Sequence, residues 1–312
     1  MTEIICGVDV SSLYLDCAVG EDGASLRVAN DAEGIARLAE FCAKHRVSLV
    51  VMEATGGYER LAFSLLWAAG VACAVVNPRQ VRRFAEAMGF LEKTDRIDAR
   101  LIAWYGAVKR LAPSPPAEAN QRRLRALATR LRQLTALKTM QTNQRRLVDE
   151  PAALASIEEL LGLVRRQIRE LAQRIAELID ADPLWRTLDQ AFREIKGVAD
   201  RSVATVLAEL PEIGTLSNRA ASKLVGVAPL ARDSGKLSGK RVVRGGRAPV
   251  RGLLFVVAEI VRRHDPDFAD FHRRLTEAGK PKKVVRIALA RKLIVRLNAK
   301  ARDVRKQLEL AA

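Results

Sequence analysis

The sequence contains few of the residues that build zinc sites, disulfides and histidine-based catalytic triads. Its 312 residues include 4 cysteines and 3 histidines. The cysteines form no CxxC pair, and the histidines are too scattered for a zinc site or a triad. We therefore expect Cys6, Cys17, Cys42 and Cys73 to be buried thiols, as is usual in a reducing cytosol.

The sequence also has little that predicts membrane insertion or export. One uncharged run, residues 61–76, resembles a membrane segment but is shorter than the roughly 20 residues that a bilayer requires. Gly70 divides this run, which predicts a buried helix followed by a strand. The chain starts with a predicted strand and not with the basic and apolar regions of a signal peptide, so we expect no membrane partner.

A surplus of basic residues is present, and it is concentrated in the last third of the chain. Lys and Arg total 53 against 36 Asp and Glu, a formal net charge of +17 at pH 7. Residues 1–112 carry 13 basic and 14 acidic side chains (net −1), residues 113–190 carry 13 and 10 (net +3), and residues 191–312 carry 27 and 12 (net +15). This distribution predicts that the last third binds a polyanion, for which nucleic acid is the main candidate.

The first 112 residues show the hydrophobic pattern of an α/β domain. Strands are predicted at residues 4–10, 14–19, 25–29, 48–52 and 71–76. Helices are predicted after the N-cap residue Asp31, at residues 58–69, and from Pro78 to about residue 108. The resulting order βββαβαβα is that of a ribonuclease-H-like domain, and we predict this fold for residues 1–112.

Four acidic residues of this domain are predicted to meet at one edge of the sheet. Asp9 lies late in the first strand, and Glu53 directly follows the fourth. Asp95 and Asp98 stand three residues apart on one face of the last helix. Singly, each acid is explained by a strand end or a solvated helix surface. Together they form a set of oxygen ligands that suits Mg²⁺ or Mn²⁺, which in pairs can promote phosphoryl transfer.

Residues beside these acids are candidates for contact with the substrate. The Gly56-Gly57 turn precedes a predicted helix, where backbone amides can bind a phosphate, although most such turns only connect elements. Lys93 and Arg96 flank the helical acids and either contact phosphates or remain solvated. Tyr58 is a possible nucleophile, but we expect this aromatic side chain to pack against the protein.

Two long helices are predicted after the proline-rich segment 113–116, at residues 117–149 and 154–179. In the second helix, apolar residues recur at alternating spacings of four and three, which is a heptad seam. The seam consists of Ile157, Leu161, Val164, Ile168, Leu171, Ile175 and Leu178. We predict a helical coiled-coil linker over residues 113–182, which pairs either as an antiparallel hairpin or with another subunit.

Residues 183–312 are predicted to form a small, basic, all-helical domain. Helices are predicted at residues 203–210, 250–263, 268–278 and 282–299. Turns at Gly197 and Gly226 can present backbone amides to phosphates without reading bases. The first turn resembles half of a helix-hairpin-helix element, in which a second glycine is usual where Ala199 stands.

A flexible basic loop is predicted at residues 232–247. It contains the pair Ser234-Gly235 among Lys and Arg residues. Such a pair is usually part of a linker. Serine is also a capable nucleophile at phosphorus when cations neutralise the approach of the phosphate, so the loop is a candidate catalytic element.

Several motifs resemble those of one known family, and the resemblance covers nearly the whole chain. In the N-terminal part they are GVDVS at residues 7–11, MEATGGY at 52–58 and KTDRIDA at 93–99. In the C-terminal part they are Ala-Pro at 228–229, DSG at 233–235, GKPKK at 279–283 and RKL at 291–293. These motifs are similar to those of bacterial insertion-sequence transposases of the IS110 type and of the related Piv-type invertases.

The resemblance implies a DNA transposase or recombinase with a RuvC-like, metal-dependent domain at residues 1–112 and a transposase domain at 183–312. It assigns an Asp-Glu-Asp-Asp metal site to Asp9, Glu53, Asp95 and Asp98. It assigns the covalent phosphoserine link with DNA to Ser234, with the nearby Ser238 as the alternative.

The resemblance also implies partners and a location. It implies a structured guide RNA from the same genetic element. It further implies a homo-oligomer, a dimer or a tetramer, whose active sites combine domains of different subunits. The expected location is the bacterial cytoplasm.

Two other functions are compatible with the residues. In a metal-dependent junction nuclease, water attacks the phosphodiester and Ser234 is a bystander. In a non-catalytic architectural or RNA-binding protein the acids are structural, and binding weakens steeply with salt but does not depend on Mg²⁺. Four converging acids favour an enzyme over the non-catalytic protein.

Overall fold

The computed structural model of the chain describes residues 3–90, 95–231, 233–235, 237–239 and 241–311, with the backbone only at residues 95–97, 237, 238 and 311. The chain divides into two compact units, Met1–Ala117 and Glu118–Ala312. The predicted metal-dependent domain lies in the first unit. The predicted linker and C-terminal domain lie together in the second, and their division after residue 182 remains a prediction.

A mixed five-stranded sheet forms the centre of the first unit. Its strands are β1 (Ile5–Val10), β2 (Tyr14–Val19), β3 (Ser25–Ala29), β4 (Leu49–Glu53) and β5 (Cys73–Val76). The spatial order is β3-β2-β1-β4-β5. β2 is antiparallel to both β1 and β3, whereas β1, β4 and β5 run parallel. The predicted meander followed by parallel strands is therefore found, with β1 at the centre.

Helices cover both faces of this sheet. They are α1 (Ala32–Lys44), α2 (Glu59–Ala68), α3 (Pro78–Ala87) and α4 (Asp95–Lys109). Asp31 caps α1 as predicted, because its carboxylate accepts a hydrogen bond from the Gly34 amide at 2.8 Å. One cluster joins Cys6, Val8 and Val10 to α1 and α2, and another joins Ile5 to α3 and α4. Alternate residues of β1 thus face opposite layers.

The four cysteines behave as the sequence predicts, since all are buried and none forms a disulfide. Burial raises the pKa of the Cys17 thiol, and it raises the pKa of the Cys73 thiol to about 12. Both thiols therefore stay protonated at neutral pH, which fits a packing role.

Helix α4 lies unusually close to the central strand. A Cβ atom added to Gly7 of β1 would collide with the carbonyl oxygen of Ala99 and the amide nitrogen of Ala103. Farther along the helix, a Cβ added to Gly106 would lie 2.9 Å from Cγ2 of Val51 and 3.2 Å from Cγ2 of Ile5. The helix therefore runs antiparallel to β1, and its first turn points toward the carboxyl end of that strand.

The second unit is mostly helical. Its helices are α5 (Ala119–Arg145), α6 (Pro151–Ala181), α7 (Pro183–Arg193), α8 (Asp200–Glu209), α9 (Asn218–Val225), α10 (Ala248–Val261), α11 (Pro266–Glu277) and α12 (Lys282–Ala311). Between α9 and α10, a two-stranded hairpin is formed by β6 (Asp233–Ser234) and β7 (Leu237–Ser238). The hairpin is an addition to the all-helical arrangement that the sequence predicts.

The two long helices α5 and α6 pack against each other within the chain. Leu161, Val164, Ile175 and Leu178 of the heptad seam are buried. Near the connection, Arg145 forms an ion pair with Glu158 at 2.6 Å. The connection between the helices is short, as expected for an antiparallel pair.

A buried cluster formed by α7, α8, α10 and α12 joins the helices of the second unit. The polar residue Asn298 of α12 is buried inside it, with hydrogen bonds to the amide of Gly214 at 3.0 Å and to the carbonyl of Leu216 at 2.9 Å. Such satisfied polar groups fix the register of packed elements. In the described part of the chain, no helix has both the length and the apolar character that a membrane span requires.

We predict that Gly7→Ala destabilises the first unit by at least about 3 kcal/mol, because the new methyl group meets backbone atoms of α4 that cannot rotate away. Urea unfolding followed by tryptophan fluorescence would measure the effect, since Trp104 lies on α4.

The matched control is Gly162→Ala in α6, where an added Cβ has no heavy atom within 4 Å. This exchange is expected to be neutral or to stabilise by up to about 1 kcal/mol, because alanine favours helix. Equal stability of Gly7→Ala and the wild type would show that α4 does not lie directly on β1.

Candidate functional site

Asp9 and Glu53 lie side by side at the carboxyl ends of the two central parallel strands. Gly7 pairs with Val51 and Val8 with Met52, so the register places Asp9 next to Glu53. Both acids are half-buried. They alternate with Val8 and Met52 and therefore face the layer that contains α4. The structure brings these two predicted ligands to one edge of one sheet face.

Helix α4 contributes the other two predicted ligands. Asp98 is half-buried and directly precedes Ala99, which touches Gly7. Asp95 is the first residue of α4, one turn before Ala99, and its side chain lies outside the described residues. Since this end of the helix points toward Asp9, the backbone carries both acids to the same end of the sheet.

The donor chemistry of this edge can be compared with what a metal ion needs. Carboxylate oxygens suit hard cations such as Mg²⁺ and Mn²⁺ better than they suit softer metals. Among the described side chains, no group of three or more His, Cys, Asp or Glu residues is arranged to hold a metal ion. The carboxylates of Asp9, Glu53 and Asp98 are of the chemical type that Mg²⁺ and Mn²⁺ prefer. The predicted set of four ligands also includes Asp95, whose side chain lies outside the described residues.

A further acid, not singled out by the sequence, stands beside Asp9. Asp16 of β2 is the direct antiparallel partner of Asp9. Two carboxylates at such positions repel each other. Arg27 of β3 compensates Asp16, because its guanidinium donates two hydrogen bonds of 2.8 Å to the carboxylate. The Asp16–Arg27 pair thus limits the negative charge at this edge. This pair could not be predicted from the sequence, because it depends on the register of the sheet.

The turn after Glu53 is organised by a carboxylate from the following helix. Glu59 accepts hydrogen bonds from the amides of Thr55 at 3.0 Å and Gly57 at 2.9 Å. Of the two readings of the Gly56-Gly57 turn, a phosphate contact or a simple connection, the hydrogen bond from the Gly57 amide to an internal carboxylate favours the connection. Glu59 instead fixes the chain directly after Glu53.

We expected Tyr58 to pack against the protein, but the structure shows its side chain largely exposed. The residue is 55% exposed, and its carbonyl accepts a hydrogen bond of 3.2 Å from the side-chain amide of Asn30. The same amide group donates to the carbonyl of Ser11 at 2.9 Å. Asn30 thereby links the chain after β1 to the turn before α2, and the exposure of Tyr58 keeps its hydroxyl open as a nucleophile.

Ser234 lies on the exposed hairpin of the second unit. It pairs with Leu237 across the hairpin, and Gly235 adopts a φ of 52° at the turn. Positive φ is what tight two-residue hairpin turns require, which explains the glycine after the serine. Asp233 accepts a hydrogen bond from the Gly239 amide at 3.1 Å and pairs with Arg241 at 2.8 Å. Ser238 lies on the opposite strand, and its side chain is outside the described residues.

The base of this loop is anchored to the helical core. A Cβ added to Gly226 would collide with the carbonyl oxygen of Gly245, so the two chain segments touch through backbone atoms. Arg247 donates hydrogen bonds to both carboxylate oxygens of Glu212, at 2.6 and 2.5 Å, and to the carbonyl of Glu209 at 2.7 Å. These contacts hold the loop at its base and leave the serine exposed at its tip.

The pKa of Glu212 reflects this anchoring. Burial raises the pKa of its carboxyl group, but the hydrogen bonds from Arg247 and the positive charges of Arg247 and Arg125 outweigh burial and lower it below the ordinary value. The carboxylate form is therefore favoured in the folded chain.

The Gly197 turn departs from a phosphate-binding element. Gly197 has a φ of 103°, and an added Cβ would lie 3.1 Å from the amide nitrogen of Val261. Ala199 has an extended backbone (φ −117°), which any residue adopts, so this turn does not require a second glycine. Asp200 occupies the first turn of α8 and pairs with Arg193 at 2.5 Å. A carboxylate at this helix end disfavours phosphate binding there.

We predict that Glu212→Gln lowers the free energy of unfolding at pH 7 by about 1 kcal/mol, less than for a fully buried charged hydrogen bond because Glu212 is 39% exposed. Since the folded pKa is lowered, this difference is complete above the unfolded pKa of about 4.3 and disappears as the pH falls through the folded value.

Urea unfolding of the wild type and the variant between pH 3 and pH 7 would test this. Glu277→Gln, an exchange of an exposed acid at the end of α11, is expected to leave the stability unchanged at every pH. A difference between Glu212→Gln and the wild type that stays the same at every pH from 7 to 3 would contradict the assigned role of the carboxylate.

Two family models match this chain. One is described as a transposase, of the DEDD type of IS110 elements, and matches residues 6–148. The other is described as the transposase IS116/IS110/IS902 family and matches residues 189–273. The first match includes all four predicted acids, and the second includes Ser234.

Among solved structures, the chain is similar to Thermus thermophilus RuvC in complex with Holliday junction substrate, at 16% identity and a TM-score of 0.29. It is also similar to a second Thermus thermophilus RuvC structure, at 17% identity and a TM-score of 0.26. Each likeness covers 36% of this chain and 99% of the other.

Curated relatives match over nearly the whole length. The pilin gene-inverting proteins of Moraxella bovis and Moraxella lacunata are each 26% identical over 315 residues, covering 94% of this chain and 94% of the relative. With both family models, these relatives confirm the resemblance predicted from the motifs. The chain is thus similar to transposases of the IS110 type in both of its parts, and these likenesses indicate a DNA transposase or recombinase.

Proposed function

We propose that this protein cuts and rejoins the DNA strands of an insertion sequence by means of a divalent metal site and a serine nucleophile. The metal ligands are Asp9, Glu53, Asp95 and Asp98 of a RuvC-like domain. The nucleophile is Ser234. The observation that carries the proposal is the contact of α4 with Gly7, which directs the acidic end of the helix toward Asp9 and Glu53.

The proposed chemistry is a transesterification. The Oγ atom of Ser234 attacks the phosphorus of a phosphodiester, a serine–phosphorus bond forms, and the bond to one deoxyribose oxygen breaks. The proton lost by the serine is balanced by the proton gained at the leaving hydroxyl. A hydroxyl of another strand then attacks the phosphoserine, which joins the strands and restores Ser234. When bound, Mg²⁺ or Mn²⁺ would stabilise the charge that develops on the phosphate oxygens.

The surroundings of Ser234 support its proposed role. Between residues 228 and 247 the chain has six Lys or Arg residues and one acid, Asp233. Asp233 is paired with Arg241, so its charge is largely neutralised. Positive potential around an exposed hydroxyl favours the approach of a phosphodiester.

The partners in this proposal are DNA, a structured guide RNA of the same element and further copies of the chain. The net charge of +15 over residues 191–312 supports binding of a nucleic-acid backbone. The RNA and the oligomer are implied by the resemblance to the family.

We predict that Ser234→Ala abolishes a covalent protein–DNA adduct, because alanine has no oxygen to bond phosphorus. The assay incubates the full chain with Mg²⁺ and labelled DNA carrying the element ends, with and without co-purified RNA, and separates adducts on a denaturing gel. Ser238→Ala and Tyr58→Phe are matched controls, each of which removes another candidate hydroxyl and is expected to retain the adduct.

Other outcomes assign the chemistry differently. Loss of the adduct in Ser238→Ala or Tyr58→Phe, with Ser234→Ala still active, would transfer the nucleophile to that residue. Cleavage without any adduct in the wild type, unchanged in Ser234→Ala, would show that water attacks and that the protein is a junction nuclease.

We also predict that strand cleavage requires the divalent cation and the acids. Removal of metal by EDTA and the exchange Asp9→Asn should each lower the cleavage rate at least about 100-fold, because a metal ion contributes several kcal/mol to phosphoryl transfer. Glu40→Gln on α1 is the control, since Glu40 is exposed on the surface of the same unit. Full cleavage by Asp9→Asn in Mg²⁺ would contradict the metal site.

A further inference from the structure

A cleft of about 300 Å³ lies between α5, α8 and α10 in the second unit. Its apolar wall includes Leu131 of α5, Ala204 of α8 and Leu253 of α10. Two cations, Arg132 and Arg201, also line the cleft, and both are exposed. The volume is at the lower end of the range for ligand sites, which suits a small planar group.

The cleft owes part of its space to a glycine in the middle of a helix. Gly252 of α10 lines the cleft, and a Cβ added there would have no heavy atom within 4 Å. Glycine within a helix is unfavourable by about 1 kcal/mol relative to alanine. No close backbone contact explains this glycine, in contrast to Gly7, where a side chain would collide with α4.

The two cations of the cleft have no acidic partner among the described residues. Neither Arg132 nor Arg201 forms an ion pair there, whereas the nearby Arg125 pairs with Glu209 at 3.9 Å. A guanidinium group matches the geometry of a phosphate and can also lie flat against a base. An apolar cleft with two such groups therefore complements one nucleotide.

We infer that this cleft binds one unpaired nucleotide of a DNA strand, with the base against the apolar wall and the adjacent phosphates on Arg132 and Arg201. A base must be unpaired and unstacked to enter such a cleft. The inference rests on the proposed function in one respect, because strand exchange is the step that exposes unpaired bases in DNA.

The first test compares the binding of three labelled DNA duplexes to the full wild-type chain. One is fully paired, one contains a single bulged nucleotide, and one contains an abasic nucleotide at the bulge. Fluorescence anisotropy in EDTA measures binding without cleavage. The bulged duplex should bind roughly 5- to 150-fold more tightly than the paired duplex, and the abasic bulge should lose most of this preference.

The second test closes the cleft. In Gly252→Leu the new side chain occupies the open space, so the preference for the bulged duplex should disappear while the affinity for the paired duplex stays the same. The matched control is Gly162→Leu, the same exchange at another helical glycine with no heavy atom within 4 Å of the added Cβ. This control should keep the preference.

The third test removes the charges and does not depend on Gly252→Leu being folded. The double variant of Arg132→Gln and Arg201→Gln should reduce the slope of log Kobs against log[salt] for the bulged duplex by about 0.9 for each lost phosphate contact. The slope for the paired duplex should change less.

Several results would overturn the inference. They are equal binding of the bulged, abasic and paired duplexes, an unchanged preference in Gly252→Leu, or tighter binding of the corresponding RNA bulge than of the DNA. A change of oligomeric state in Gly252→Leu, seen by size-exclusion chromatography with the DNA preference retained, would assign the cleft to contact between copies of the chain. Ser234→Ala should keep the bulge preference, so a failed adduct assay and a failed cleft assay are distinguishable.

Discussion

The contact between the backbone of α4 and Gly7 is the constraint on which the acidic edge depends. At this contact the carbonyl of Ala99 and the amide of Ala103 lie where a side chain on β1 would stand. The helix can approach so closely only because β1 has no Cβ at this position. Its direction follows from the second contact, at Gly106 near Ile5 and Val51. Together the two glycines fix which end of α4 lies above the carboxyl end of β1.

This orientation also affects the electrostatics of the acids. Carboxylates that share one edge repel each other, and burial increases the repulsion. The first turn of α4 offers the positive end of the helix dipole, which partly offsets that repulsion. Arg27 neutralises Asp16, the acid directly opposite Asp9. A divalent cation would complete the compensation, which is a physical reason to expect the acids and the metal to stabilise each other.

The sequence predicted those parts of the fold that depend on local pattern. Apolar strands ending in Asp9 and Glu53, the cap at Asp31 and the heptad seam of α6 can all be read from spacing. The contacts of Glu59 with the Gly57 turn and of Arg27 with Asp16 could not be read in this way. They join residues whose relative positions depend on the turn geometry and on the sheet register. The spacing of residues in a single sequence does not determine which basic side chain or backbone amide an acid contacts. The exposure of Tyr58 was missed for the same reason, because a preference of aromatic residues for packing says nothing about a particular turn.

The second unit positions Ser234 through contacts at the base of a hairpin. A nucleophile has to be exposed to reach DNA, yet its position has to be reproducible for in-line attack. The hairpin meets both requirements because its base and its tip are built differently. At the base, Gly226 touches Gly245 through backbone atoms and Arg247 binds Glu212 with two hydrogen bonds. At the tip, Gly235 adopts a positive φ and Ser234 is exposed. In both units, the elements that carry the proposed chemistry are held by backbone contacts at glycines, where no side chain fits. Substitution of these glycines should therefore displace the acids or Ser234 without changing the chemical groups themselves.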